Sequence, residues 1–258
     1  MCKECGCGLG GDDVKIGGHS HEHGHAHGHG HDHHHEHGHS HGGKTLSLNL
    51  SLLEKNARLA EQNRGFFRAK KLLVLNVVSS PGSGKTTFIR ETAAKLAGKL
   101  RVGVIVGDLV TDNDAARLRT AGIPVVQITT GTVCHLDADM VAKAAAQMDL
   151  DKLDVLVIEN VGNLVCPADY DLGEDLRVVL LSVTEGEDKP LKYPPMFHSA
   201  HVAVVSKSDM AAAAGFNREL ALQNLERVSH HARIFELSAK TGDGMKAWLD
   251  FLAEQRAA

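Results

Sequence analysis

Apolar residues fall along this chain in short continuous runs separated by stretches of helical spacing. The runs are Leu72 to Val78, Arg101 to Val106, Val125 to Thr129, Asp154 to Ile158, Arg177 to Val183, Val202 to Ser206 and Arg233 to Leu237. Their apolar residues do not alternate with polar ones, which predicts strands buried on both faces. Between most of them lie helical patterns over Thr86 to Ala97, Ala138 to Met148, Asn217 to Ser229 and Gly244 to Gln255. A further helix is predicted over Ser47 to Arg64, from Leu50, Leu53, Ala57 and Ala60, with Gly65 ending it. The expected fold is α/β, a mostly parallel central sheet flanked by helices. Before Lys44 the pattern stops, and only Leu9, Val14, Ile16 and a few other apolar residues are scattered among glycine and histidine. That segment cannot build a core, so a disordered His-rich N-terminal tail is expected. The organisation read from the pattern is a tail over residues 1–43, a helix over 44–66 and a P-loop domain over 67–258.

Composition sharpens this division. Of the 18 histidines in 258 residues, 13 fall between His19 and His41, leaving an ordinary globular remainder. No run reaches the roughly 18 apolar residues that a membrane span needs, and the N-terminus has no secretory pattern, so a cytoplasmic protein is expected with no membrane partner. A net charge of −4 gives no basic footprint for nucleic acid. Five cysteines point to metal or thiol chemistry in a reducing compartment.

The strongest chemical signal is Ser79-Ser80-Pro81-Gly82-Ser83-Gly84-Lys85-Thr86, between the first buried strand and a helix. Gly82, Ser83, Gly84, Lys85, Thr86 and Thr87 form the expected phosphate cradle: backbone N–H groups turn inward, Lys85 adds charge and the Thr86 hydroxyl suits magnesium. Ser79 stands where the pattern usually has glycine. Asp108 and Glu159 end strands on the same sheet edge and are candidates for magnesium and the attacking water, whereas Asp112 and Asp114 read equally well as residues of a helix start. Later in the chain, Lys207 and Asp209, followed by Ser238, Ala239 and Lys240, favour guanine over adenine, because a carboxylate can accept from the two donors on that base's edge. GTP and Mg2+ are therefore the expected cofactors.

Cys134-His135 and Cys166 lie in loops that should leave the same edge, and thiolate with imidazole suits Zn2+ or Ni2+; a buried cysteine and a satisfied histidine are the plainer alternative. Cys2, Cys5 and Cys7 lie in a segment with no core to hide them, and removal of Met1 would add the Cys2 amine, a sulfur-rich set that suits square-planar nickel(II). The alternating tract from His19 to His41 offers loose capacity for several borderline ions.

Taken together these residues resemble the hydrogenase-maturation nickel-insertion GTPases, the HypB family within the signal-recognition/MinD/BioD class of P-loop proteins. The resemblance rests on the Cys2, Cys5 and Cys7 cluster, the histidine tract, Asn56 and Asn63-Arg64, Ser80 to Thr86, Gly107-Asp108, Asp114-Ala115 with Arg117, Cys134 to Asp137, Glu159 to Pro167, and Ser238 with Thr241-Gly242. It implies slow Mg2+-dependent GTP hydrolysis coupled to nickel delivery into a [NiFe]-hydrogenase large-subunit precursor. It also implies GTP-dependent homodimerisation, a small nickel chaperone as partner, a tight nickel site at the N-terminal cysteines and a weaker nickel or zinc site at Cys134, His135 and Cys166. Asp108 and Glu159 would serve magnesium and water, and Asp209 would read guanine. Two residues depart from the pattern: Ser206 replaces the usual Asn of the guanine motif, with one purine contact fewer expected, and the phosphate loop lacks the extra lysine of many class members. Loss of the γ-phosphate is expected to move the Cys134 and Cys166 loops, which leave the strand ends that carry the acids. The competing readings are a urease-type maturation GTPase, a nickel or zinc storage module with a weak GTPase, and a small-molecule kinase, for which no arginine-rich lid is visible.

Overall fold

The structure, a computed structural model, describes the backbone of residues 15–16 and 42–257 and side chains from residue 50 onward. The elements in chain order are β1 (Lys15–Ile16), α1 (Gly42–Ala69), β2 (Leu73–Ser79), α2 (Lys85–Leu96), β3 (Val102–Asp108), α3 (Asn113–Thr120), β4 (Val125–Thr129), α4 (Ala138–Ala145), β5 (Val155–Glu159), β6 (Leu176–Ser182), α5 (Lys189–Lys192), α6 (Pro194–His198), β7 (Val202–Ser206), α7 (Arg218–Ser229), β8 (Arg233–Glu236) and α8 (Met245–Ala257). One sheet runs in the order β1-β4-β3-β5-β2-β6-β7-β8. All pairings from β4 to β8 are parallel, and only β1 is antiparallel, with Lys15 opposite Thr129.

The expected α/β sheet is therefore what forms, and the continuous apolar runs explain it: every residue of β2 and of β5 is buried. On one face Phe88, Ile89 and Leu96 of α2 meet Trp248 and Phe251 of α8 over the inner strands. On the other, Phe67 of α1 and Met140 and Val141 of α4 cover β3 and β5, while Phe197 and Leu225 cover β6 and β7.

The helix expected to end at Gly65 continues to Ala69. Phe67 lies beyond Gly65 and is buried, so stopping at the glycine would leave that ring outside the core. Termination falls instead at Lys71, whose φ of 56° lets Leu72 N–H donate to the Phe67 carbonyl at 3.0 Å. Three α1 side chains dock the helix onto the functional edge. Asn56 accepts from Ala138 N–H at 2.9 Å, Asn63 donates to the Ala138 carbonyl at 2.8 Å, and Arg64 pairs with Asp171.

The expected disorder of the tail, the Cys2, Cys5 and Cys7 cluster and the His19 to His41 tract lie outside the described residues, apart from the two residues of β1 and Gly42 and Gly43, which are the first residues of α1 and not part of a tail. Among the described residues no helix is long and apolar enough to cross a membrane.

Candidate nucleotide and metal site

The carboxyl ends of β2, β3, β5 and β7 meet at one edge, where ligands bind in open α/β sheets. β2 delivers the chain into the phosphate loop, and its turn requires left-handed backbone at Gly82 (φ 76°) and Gly84 (φ 101°), which glycine adopts without strain. Ser79 needs no such freedom, because it closes β2 as an ordinary strand residue. Its hydroxyl holds the loop in shape, accepting from Lys85 Nζ at 3.0 Å and contacting the Ser83 hydroxyl. Thr87 is exposed one residue beyond Thr86.

Glu159, at the end of β5, is buried and lies beside Thr86, whose Oγ1 donates to Glu159 Oε1 at 2.7 Å. Burial pushes its carboxyl up to about 7, while the Thr86 hydrogen bond and the Lys85 charge pull the other way. Burial likewise lowers the Lys85 ammonium, opposed chiefly by Glu159. Glu159 Oε2 is buried without a hydrogen-bond partner. A lone carboxylate oxygen next to a threonine hydroxyl is a hard-oxygen pair that a hydrated divalent cation satisfies, so these residues fit magnesium. Asp108 is half-buried at the end of β3, and its carboxylate accepts from Leu109 N–H and the Thr111 hydroxyl. Asp112 occupies the first capping position of α3 without a side-chain cap, and Asp114 pairs with Arg117 at 3.1 Å.

The loop after β7 closes over the phosphate loop. Lys207 adopts φ 58° and its Nζ donates to the Gly82 carbonyl at 2.8 Å. Asp209 is exposed in the single turn that follows, and Ser208 N–H donates to the Leu237 carbonyl at 3.2 Å, so this turn abuts Ser238, Ala239 and Lys240. Ser206, in the usual Asn position, is buried and donates its hydroxyl to the Ser83 carbonyl at 3.1 Å. The shorter side chain thus binds the phosphate loop itself.

Cys134 and Cys166 are separated by 32 positions, yet their sulfurs stand 2.9 Å apart. With His135 they form a set of ligand atoms within 4.8 Å of one another. His135 is buried, its ring is stacked on Tyr170 at 3.9 Å, and its Nδ1 has no hydrogen-bond partner. Burial lowers the imidazole against the opposing charges of Asp137 and Asp169, which keeps the ring in the neutral form that binds metal. Two thiols and a neutral imidazole with one orphan nitrogen suit a borderline ion.

Asn160, adjacent to Glu159, joins the two centres. Its Oδ1 accepts from Leu136 N–H at 3.3 Å and Val161 N–H at 2.9 Å, while its Nδ2 donates to Asn76 Oδ1 at 3.2 Å. Asn163 donates to the Cys134 carbonyl at 3.2 Å. Sequence reasoning assigned no role to Asn76 and Asn160 or to Tyr170. A lone asparagine inside the apolar run of β2 was the available signal, since a buried amide requires partners.

Known proteins similar to this chain place its family. The model of the CobW/HypB/UreG nucleotide-binding domain matches residues 73–236. Hydrogenase maturation factor HypB of Escherichia coli (strain K12) is 50% identical over 215 residues, covering 83% of this chain and 74% of the relative. The crystal structure of HypB from Helicobacter pylori in complex with nickel superposes with a TM-score of 0.76 at 41% identity, over 79% of this chain and 95% of that one. HypB of Archaeoglobus fulgidus gives 0.74 at 39% identity, over 79% and 99%. The chain belongs to the CobW/HypB/UreG family and, within it, to the HypB hydrogenase maturation factors.

Proposed function

We propose that this protein is a GTP-hydrolysing nickel metallochaperone that couples hydrolysis to nickel insertion into a [NiFe]-hydrogenase large-subunit precursor. The observation that carries the reading is Asn160: it follows the buried Glu159 directly and holds the backbone of Leu136, the neighbour of His135. A change at Glu159 therefore has two covalent steps and one hydrogen bond to cross before it reaches His135.

In this reading the backbone of Gly82 to Thr86 cradles the phosphates, and Lys85 leaves the Ser79 hydroxyl for the β- and γ-phosphate oxygens. Thr86 and Asp108 hold magnesium, directly or through water, and Glu159 orients the attacking water or a magnesium-bound one. Magnesium, when bound, neutralises charge developing on the phosphates. Lys207 lies along the base, Asp209 accepts from guanine, and the Ser238, Ala239 and Lys240 loop closes the base pocket. Cys134, His135 and Cys166 carry the delivered ion, nickel or zinc. The sequence supports a tight nickel site at Cys2, Cys5 and Cys7 and a loose reservoir at the His19 to His41 tract, within a tail over residues 1–43 preceding the helix over 44–66 and the GTPase domain over 67–258. The proposed partners are a second copy of the chain in the GTP state, a small nickel chaperone and the hydrogenase precursor, all in the cytoplasm.

The test is nickel affinity of the Cys134 site in protein loaded with a GTP analogue and with GDP. Linkage requires the two to differ if the sites are coupled. Equal affinities refute the coupling, and absence of Mg2+-dependent GTP turnover in a chain beginning at Lys44 would favour the storage reading.

A further inference from the structure

Outside the tract the chain has five histidines, of which His135 belongs to the loop site. The other four gather at the opposite edge of the sheet, where strands begin. His198 ends α6, His201 immediately precedes β7, and His230 and His231 lie between α7 and β8. All four are exposed. The ring centres of His198 and His231 are 5.4 Å apart with planes at 83°, and those of His230 and His231 are 5.4 Å apart at 85°.

These separations carry chemical information. Two imidazoles sharing one tetrahedral ion, each nitrogen about 2.0 Å from it, place their ring centres about 5 Å apart. The ligand nitrogens do not converge as the rings stand, and a shared ion requires the exposed rings to turn toward it. His198 is already set for this: its Nδ1 lies 3.3 Å from the Val228 carbonyl, so Nδ1–H donates there and the Nε2 lone pair is left for a metal. His201 is set against it, because its Nδ1 accepts from Arg177 N–H at 2.9 Å and its Nε2 then carries the proton. The two backbones that present the rings are tied together, since the Ser229 hydroxyl donates to the Phe197 carbonyl between buried residues.

We propose that His198, His230 and His231 form an auxiliary site for a borderline divalent ion, Zn2+ or Ni2+, remote from the nucleotide and independent of the loop thiols. Imidazole and water without thiolate make a labile site, one that takes up and releases its ion readily.

The experiment is peptide-resolved carbethoxylation of histidines in the full-length protein, with Zn2+ and then Ni2+ in excess over all the histidines of the chain. His198 should react at least about tenfold more slowly with metal present. In His231→Gln that protection should disappear, and in the converse variant His198→Gln protection of His231 should disappear. GTP turnover in both variants should match the parent protein, which establishes that they fold. Unchanged reactivity of His198 with metal overturns the proposal, as does protection of His198 that survives His231→Gln.

Discussion

The hydroxyl of Ser206 donates to the backbone carbonyl of Ser83 across 123 positions of sequence, fixing the base-binding loop to the phosphate loop. The bond is buried, so losing it strands the carbonyl and costs about 1 kcal/mol. Ser206→Ala should weaken GTP and GDP alike by roughly fivefold. Calorimetric titration of both nucleotides checks this, and a loss confined to GTP would mean that Ser206 responds to the γ-phosphate.

Glu159 makes nucleotide-free protein sensitive to alkali. Its folded value of about 7 lies above the reference value of 4.5, so its contribution is fully present below pH 4.5 and is lost as pH rises through 7. The span corresponds to roughly 3 kcal/mol. Between pH 5 and pH 8 the unfolding free energy of the nucleotide-free protein should fall, and Glu159→Gln should remove most of that slope. GTP turnover in Glu159→Gln should drop by at least about a hundredfold while GDP binding persists. Urea titrations across pH, with a parallel phosphate-release assay, give both numbers; a slope identical in parent and variant would rule out Glu159 as its source.

Gly107 packs against the metal loop. A Cβ at this position would approach Leu136 Cδ1 and Cδ2 at 2.8 Å, and Leu136 is fully buried. Gly107→Ala should cost about 1–3 kcal/mol of stability through overpacking. Because Leu136 neighbours His135, nickel affinity of the loop should fall with it. Intact nickel affinity in a variant destabilised by that amount would show that the loop shifts without disturbing its ligands.

Cys166→Ser should lower nickel affinity of the loop site by at least about tenfold, since a thiolate is replaced by a far weaker ligand. Nucleotide binding by the metal-free protein should stay within about twofold of the parent protein, because the Cys166 sulfur lies against that of Cys134 in the metal loop. Competition with a chromophoric chelator measures the first effect, and retention of parent-like affinity would remove Cys166 from the ligand set.

The sheet was legible because its five inner strands, β2, β3, β5, β6 and β7, are buried along nearly their whole length and announce themselves as apolar runs. The phosphate loop was legible because its chemistry demands particular residues at fixed spacing. Cys134 and Cys166 were each visible in the sequence, but their 2.9 Å approach depends on how two loops leave β4 and β5 on either side of β3, which spacing along the chain does not encode. Helix α1 misled at Gly65, since local propensity favours a stop there and burial of Phe67 outweighs it. Asn76 and Asn160 were hidden for a similar reason: a single polar residue in a strand reveals that it needs a partner, not which one. Ser206 looked like a weakened guanine contact, whereas the shorter side chain reaches a carbonyl of the phosphate loop.

The pairing of Lys15 with Thr129 fixes the chain to the strand that leads directly into the Cys134 loop. Cys7 precedes Lys15 by eight residues, and eight residues span at most about 28 Å. If those cysteines hold nickel as proposed, a tether of this length would present the ion to the loop at an effective concentration in the millimolar range, whatever the amount of protein in solution. Passage of an ion from the N-terminal cysteines to Cys134 would then be a first-order process, unaffected by dilution, and a chain in which β1 cannot pair would lose that independence.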